Sequence, residues 1–131
     1  MRALIAVFLG GAIGTAIRLS IDALIPHSDS EFPLSTLIIN VVGSFVLAIL
    51  VTRVWPVTPD WLRAGLGPGL VGGFTTFSAV MVSMVTLAAN SEIVQALGYL
   101  GITLVLGFGA AALGFLIGRR RDRTPTIEVD E

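Results

Sequence analysis

The chain has 131 residues, of which 54% are hydrophobic and 13% charged, and its mean hydropathy is +0.90. Soluble domains carry about 25% charged residues, so this composition excludes a soluble globular domain, and the length leaves room for one membrane domain only. The absence of cysteine excludes disulfides, thiolate catalysis and cysteine metal sites.

A helix needs about 20 apolar residues to cross a bilayer, and four segments qualify. The first runs from about residue 3 to 25 and is interrupted by Arg18 and Asp22. Met1-Arg2 before an apolar run resembles a signal peptide, but no small-x-small cleavage site stands out beyond Arg18, so a retained first helix is expected. The loop Pro26-His27-Ser28-Asp29-Ser30-Glu31 follows, and its His27 reads as a solvated residue.

The second segment spans about 34 to 54, with Asn40 inside it. Trp55 and Trp61 flank the next loop, a placement that suits the membrane–water boundary. The third segment spans about 62 to 90 and the fourth about 93 to 118, joined by Asn90-Ser91-Glu92. Residues 119–131 form a charged tail, basic at first and acidic at its end, expected to be disordered and cytoplasmic.

With four spans, Arg2, Arg53, Arg63, Arg119, Arg120, Arg121 and Arg123 lie on one side, while the opposite loops hold no arginine. The positive-inside rule places both termini in the cytoplasm. Glycines recur four apart at Gly10 and Gly14, at Gly65, Gly69 and Gly73, and at Gly114 and Gly118, a spacing that lets helices approach closely in lipid.

Polar groups deep in a span are costly and point to function. Here they are Arg18, Asn40, Ser44, the run Thr75-Thr76-Phe77-Ser78, Ser83, Thr86, Tyr99 and Thr103. Hydroxyls can bond back to their own helix, whereas Asn40 suits either an interhelical hydrogen bond or a functional role. The third segment carries five glycines and a proline within Gly65–Gly73, each glycine costing about 1 kcal/mol and the proline about 3 in a continuous helix. A break near Gly72 to Thr76 is expected. Carbonyls freed there would suit a cation, and freed amides and hydroxyls an anion; a Gly-rich kink at a packing contact is the plainer alternative.

Gly67-x-Gly69-x-x-Gly72 matches the dinucleotide fingerprint by letter, but no strand precedes it and no acidic residue follows at the required distance. Nothing suggests an enzyme: no carboxylate pair lies in the spans, no metal-ligand cluster is present, and the lone histidine leaves no general base.

Three stretches together resemble the Fluc (CrcB) fluoride channels. They are Gly10-Gly11-Ala12-Ile13-Gly14-Thr15-Ala16-Ile17-Arg18, Thr36-Leu37-Ile38-Ile39-Asn40-Val41-Val42-Gly43-Ser44-Phe45 and Gly72-Gly73-Phe74-Thr75-Thr76-Phe77-Ser78. The resemblance implies an all-α integral membrane protein with four transmembrane helices, a break in the third, and an antiparallel dimer with two pores that exports cytoplasmic fluoride passively. It implies that Asn40 lines the pore, that Arg18 attracts anions in a vestibule, and that the backbone carbonyls of Gly72 and Thr75 hold a structural sodium ion. Thr76, Ser78, Tyr99 and Thr103 would supply a polar track, and Phe77 a ring edge carrying positive quadrupole density. The implied partners are fluoride, membrane lipid and a second subunit, with no nucleic acid; the implied location is a bacterial plasma membrane.

The sequence departs from the family pattern after Ser78. Ala79 replaces a threonine, Val80 a second phenylalanine, and Gly107 a polar residue of the fourth helix. An antiparallel homodimer must insert both ways, yet the arginine bias is seven to none. A chain fixed in one orientation and paired with a homologous, oppositely oriented subunit is therefore expected. Two other classes compete. A small proton-coupled multidrug-type transporter would need a membrane carboxylate, for which Asp22 is the only candidate. A non-transporting assembly subunit would leave Asn40, Arg18 and the weakened third span unexplained together.

Overall fold

A computed structural model describes residues 1–25 and 32–119. The loop with His27 and the tail beyond Arg119 lie outside the described residues. Among the described residues every element is helical, and four helices are long and apolar enough to cross a membrane: Arg2–Leu24, Leu34–Val57, Asp60–Ala89 and Ile93–Arg119. The all-α, four-span expectation holds.

The first span packs along the first half of the third, and the second along the fourth. Glycine makes the first contact possible. A Cβ on Gly10 would collide with the Gly65 carbonyl oxygen, and one on Gly14 with the Leu70 carbonyl oxygen. One on Gly73 would lie 2.6 Å from the Gly11 carbonyl oxygen. Backbone therefore rests on backbone, the arrangement that small-residue spacing allows between helices in lipid. The second contact uses the same device: a Cβ on Gly114 would lie 2.7 Å from the Phe45 carbonyl oxygen, and one on Gly118 would collide with Thr52.

The third span is interrupted inside the stretch where a break was expected. Its glycine- and proline-rich part does not unwind; Gly65–Val71 forms a π-helical stretch. The wider turn relieves the clash of the Pro68 ring with the preceding turn, and Pro68 itself is exposed. A single α-turn, Gly72–Phe74, continues the helix. The backbone opens only at Thr75 (ψ 156°) and Thr76 (φ −150°, ψ 117°), and the helix resumes over Phe77–Ala89. The break is thus two residues long and lies at the C-terminal edge of the stretch where it was expected.

The second span also widens, through a π-helical turn at Leu50–Val54 and a 3-10 turn at Trp55–Val57. A tight turn joins the last two spans, with Ser91 in the left-handed region at φ 65°. Leu37, Val80 and Tyr99 form a buried cluster where the second, third and fourth spans meet. The Phe32 ring meets Tyr99 edge-on, with centroids 5.3 Å apart. Large apolar side chains cover the outer surfaces, among them Phe8 and Phe108, both 74% exposed; such surfaces belong against lipid or another chain.

Candidate ion pathway

The break takes the carbonyls just before it and both backbone groups of Thr76 out of the helical ladder, while the Gly72 and Thr75 N–H groups stay in it. The Thr75 N–H and Oγ1 both donate to the Val71 carbonyl oxygen, at 2.8 and 2.9 Å. The Thr76 peptide turns to the second span: Asn40 Oδ1 accepts from the Thr76 N–H, and Asn40 Nδ2 donates to the Thr76 carbonyl oxygen, both at 2.9 Å. Thr76 also caps the helix that follows, its Oγ1 accepting from the Ala79 N–H at 3.2 Å and lying 3.1 Å from Ser78 Oγ. The Gly73 carbonyl oxygen accepts from Arg18 Nε at 3.3 Å and from Thr15 Oγ1 at 3.4 Å.

Among the described residues no donor meets the carbonyls of Gly72 and Thr75. Unmet backbone oxygens are hard ligands of the kind that hold alkali and alkaline-earth cations at broken membrane helices, so these two carbonyls fit the sodium expectation. The described residues include no group of three or more His, Cys, Asp or Glu side chains that could hold a metal.

A groove of about 750 Å³ runs between the second, third and fourth spans. Asn40, Thr75, Thr76, Phe77 and Thr103 border it, together with Ser44, Val80 and Gly107. Phe77 is 69% exposed, and Ser78 beside it is exposed as well. Val80 is 2% exposed, so the position where an aromatic is absent lies at the inner wall of the groove. A Cβ on Gly107 would meet Ser44 Oγ at an ordinary contact distance of 3.8 Å, so the position would accept a side chain without a clash at its Cβ.

Tyr99 is fully buried. Its hydroxyl lies close to the Thr36 and Thr103 hydroxyls, although neither it nor Thr103 Oγ1 meets full hydrogen-bond geometry among the described residues. A buried hydroxyl left without a partner costs about 1–3 kcal/mol, so this group of three hydroxyls has hydrogen-bonding capacity to spare. Arg18, Gly72, Ser78 and Tyr99 do not border the groove; Arg18 is instead held against the break from the first span. Asp22 lies near the end of the first span, half-buried, and its Oδ1 has no partner among the described residues.

Two polar residues escaped the sequence reading. Thr15 lies inside the first motif, and its spacing of three from Arg18 is the signal that puts both on one helix face. Ser35, fully buried with an unpartnered Oγ, sits at the start of the second span, where a lone hydroxyl carries no signal.

Four apolar spans, a broken third span and polar groups converging on that break define an integral membrane protein of the ion-conducting kind. The CrcB-like family (camphor resistance, CrcB) matches residues 5–115, and the chain belongs to it. The chain is 40% identical over 114 residues to the fluoride-specific ion channel FluC 2 of Nocardia farcinica, covering 85% of this chain and 81% of that one. It is 36% identical over 121 residues to FluC 2 of Halalkalibacterium halodurans, covering 92% and 88%. To the fluoride-specific ion channel FluC of Paracoccus denitrificans it is 37% identical over 113 residues, covering 86% and 91%.

Proposed function

We propose that this chain is a subunit of a fluoride-selective channel that lets cytoplasmic fluoride leave the cell passively. The observation that carries the reading is the break at Thr75–Thr76, held open by Asn40 beside a groove lined by Thr76, Phe77 and Thr103. Fluoride is a small, strongly hydrated anion, and a path for it must replace water with donors. The Thr76 and Thr103 hydroxyls on the groove are such donors, with Ser78 and Tyr99 next to them, outside its lining; the Phe77 ring edge adds positive quadrupole density, and Arg18 adds a full positive charge at the break. No step needs a proton-exchanging carboxylate. The only acid in the described parts of the spans away from their first turns is Asp22, near a span end, which leaves the multidrug-type alternative without its central group.

Sodium held by the Gly72 and Thr75 carbonyls would supply positive charge between subunits. Two carbonyls from one chain make only part of an oxygen shell, and a second, antiparallel subunit completes it. The arginine bias of seven to none supports one fixed orientation with both termini cytoplasmic in a bacterial plasma membrane, and thus a homologous partner of opposite orientation. Val80 and Ala79 support the same division of labour, with part of the anion lining coming from the partner.

Expression in fluoride-sensitive cells lacking their own channel tests both layers. Growth in fluoride is expected from this chain together with a homologous chain of opposite arginine bias, and not from this chain alone. Rescue by the lone chain would contradict the paired assembly. No rescue in either case, with both chains in the membrane, would contradict the fluoride reading.

A further inference from the structure

The break ends one half-helix at Phe74 and begins another at Phe77. The two ends carry opposite partial charge, because the last carbonyls of the first and the first amides of the second lack intrahelical partners. An anion near the break is drawn by the amide end and repelled by the carbonyl end. The carbonyl end is the one that the first span addresses. Thr15 Oγ1 and Arg18 Nε converge on the same Gly73 carbonyl oxygen, at 3.4 and 3.3 Å. The contact is not adventitious in geometry, since close backbone approach fixes both sides of it. Gly14 rests on the Leu70 carbonyl and the Phe74 amide, and Gly73 rests on Gly11.

We infer that Thr15 is a positioning residue for the break, acting with Arg18 through the Gly73 carbonyl. The charged donor offsets the negative end of the half-helix, and the hydroxyl orients the same oxygen towards the first span. Its lone pairs are thereby occupied, and the Thr75–Thr76 peptide keeps the geometry in which Asn40 grips it. The flux consequence rests on the fluoride reading above; the structural consequence does not.

Hydrogen exchange and fluoride efflux of the full chain, assembled with its partner subunit in lipid, test this. Thr15→Val removes the donor at nearly constant volume, and Thr15→Ser keeps it. Thr15→Val is expected to raise amide exchange at Thr75 and Thr76 about tenfold, the equivalent of one lost hydrogen bond to a carbonyl, and to slow fluoride efflux by a similar factor. Thr15→Ser is expected to stay within about twofold of the parent in both. Combined with Arg18→Gln, Thr15→Val should depart from the product of the single effects, since the two donors share one acceptor. Combined with Thr86→Val, whose hydroxyl bonds only to its own helix at the Val82 carbonyl, it should multiply simply. Thr15→Ala replaces Thr15→Val if the latter does not insert. Unchanged exchange in Thr15→Val, equal impairment by Thr15→Ser, or simple multiplication with Arg18→Gln would each overturn the inference. A parent that carries no fluoride would remove the channel reading while the exchange arm still decides the role of Thr15.

Discussion

The Asn40 side chain grips the Thr76 backbone on both sides of its Cα, donating to the carbonyl oxygen and accepting from the N–H, each at 2.9 Å. One amide side chain thus supplies what the helical ladder gives up at that residue. This gives Asn40 a definite structural task as well as a place on the groove. The two roles it could have, interhelical bond and pathway residue, are therefore compatible.

Asn40→Ala would leave the Thr76 donor and acceptor unmet inside the bundle, at about 1–3 kcal/mol each. Both thermal stability in detergent and fluoride flux are expected to fall, the flux at least tenfold. Asn40→Asp keeps an acceptor for the N–H but sets a carboxylate against the Thr76 carbonyl. Its flux should be lower still, because it adds negative charge beside an anion path. An Asn40→Asp channel with parental flux would contradict this.

Tyr99→Phe separates function from stability. The hydroxyl is buried beside those of Thr36 and Thr103 without making a hydrogen bond of full geometry to either, so its removal is expected to change stability by less than about 1 kcal/mol. If the hydroxyl serves the anion, fluoride flux falls at the same time. Stability and flux falling together would instead mark Tyr99 as a packing residue.

Neighbouring glycines of the first span should differ sharply. Gly14→Ala drives a methyl into the backbone at Leu70 and is expected to cost about 1–3 kcal/mol by overpacking. Gly11→Ala meets nothing closer than the Gly69 carbonyl oxygen at 3.8 Å and should change stability by less than about 0.5 kcal/mol. Thermal unfolding of the two variants side by side checks the contrast.

Val80→Phe restores a ring at the inner wall of the groove. Packing against Leu37 and Tyr99 is expected to cost about 1–2 kcal/mol of stability. Fluoride flux through the paired channel should nevertheless rise, about threefold or more, if the aliphatic side chain is what limits the lining. A stable variant with unchanged flux would show that the partner's aromatic suffices.

The spans were legible because apolar runs of membrane length leave few alternatives. Arg18 and Asn40 were legible because each interrupts such a run. The break was legible only in part. Glycine and proline content marked Gly65–Gly73 as weak, yet Gly65–Val71 stays helical by widening, and the chain opens at two threonines instead. What selects that point is a tertiary contact, the Asn40 amide against the Thr76 peptide, and no local propensity encodes it. Thr15 was hidden for the same reason: a membrane threonine ordinarily bonds to its own helix, as Thr52, Thr75 and Thr86 do here, and only the packed first span shows that Thr15 reaches Gly73.

Fluoride efflux from liposomes containing this chain and a homologous subunit of opposite arginine bias, followed with a fluoride electrode, tests the central claim most directly. The account expects rapid fluoride release from vesicles that retain chloride, and release slowed at least tenfold by Asn40→Asp. Fluoride release no faster than from protein-free vesicles, or chloride released as fast as fluoride, would contradict it.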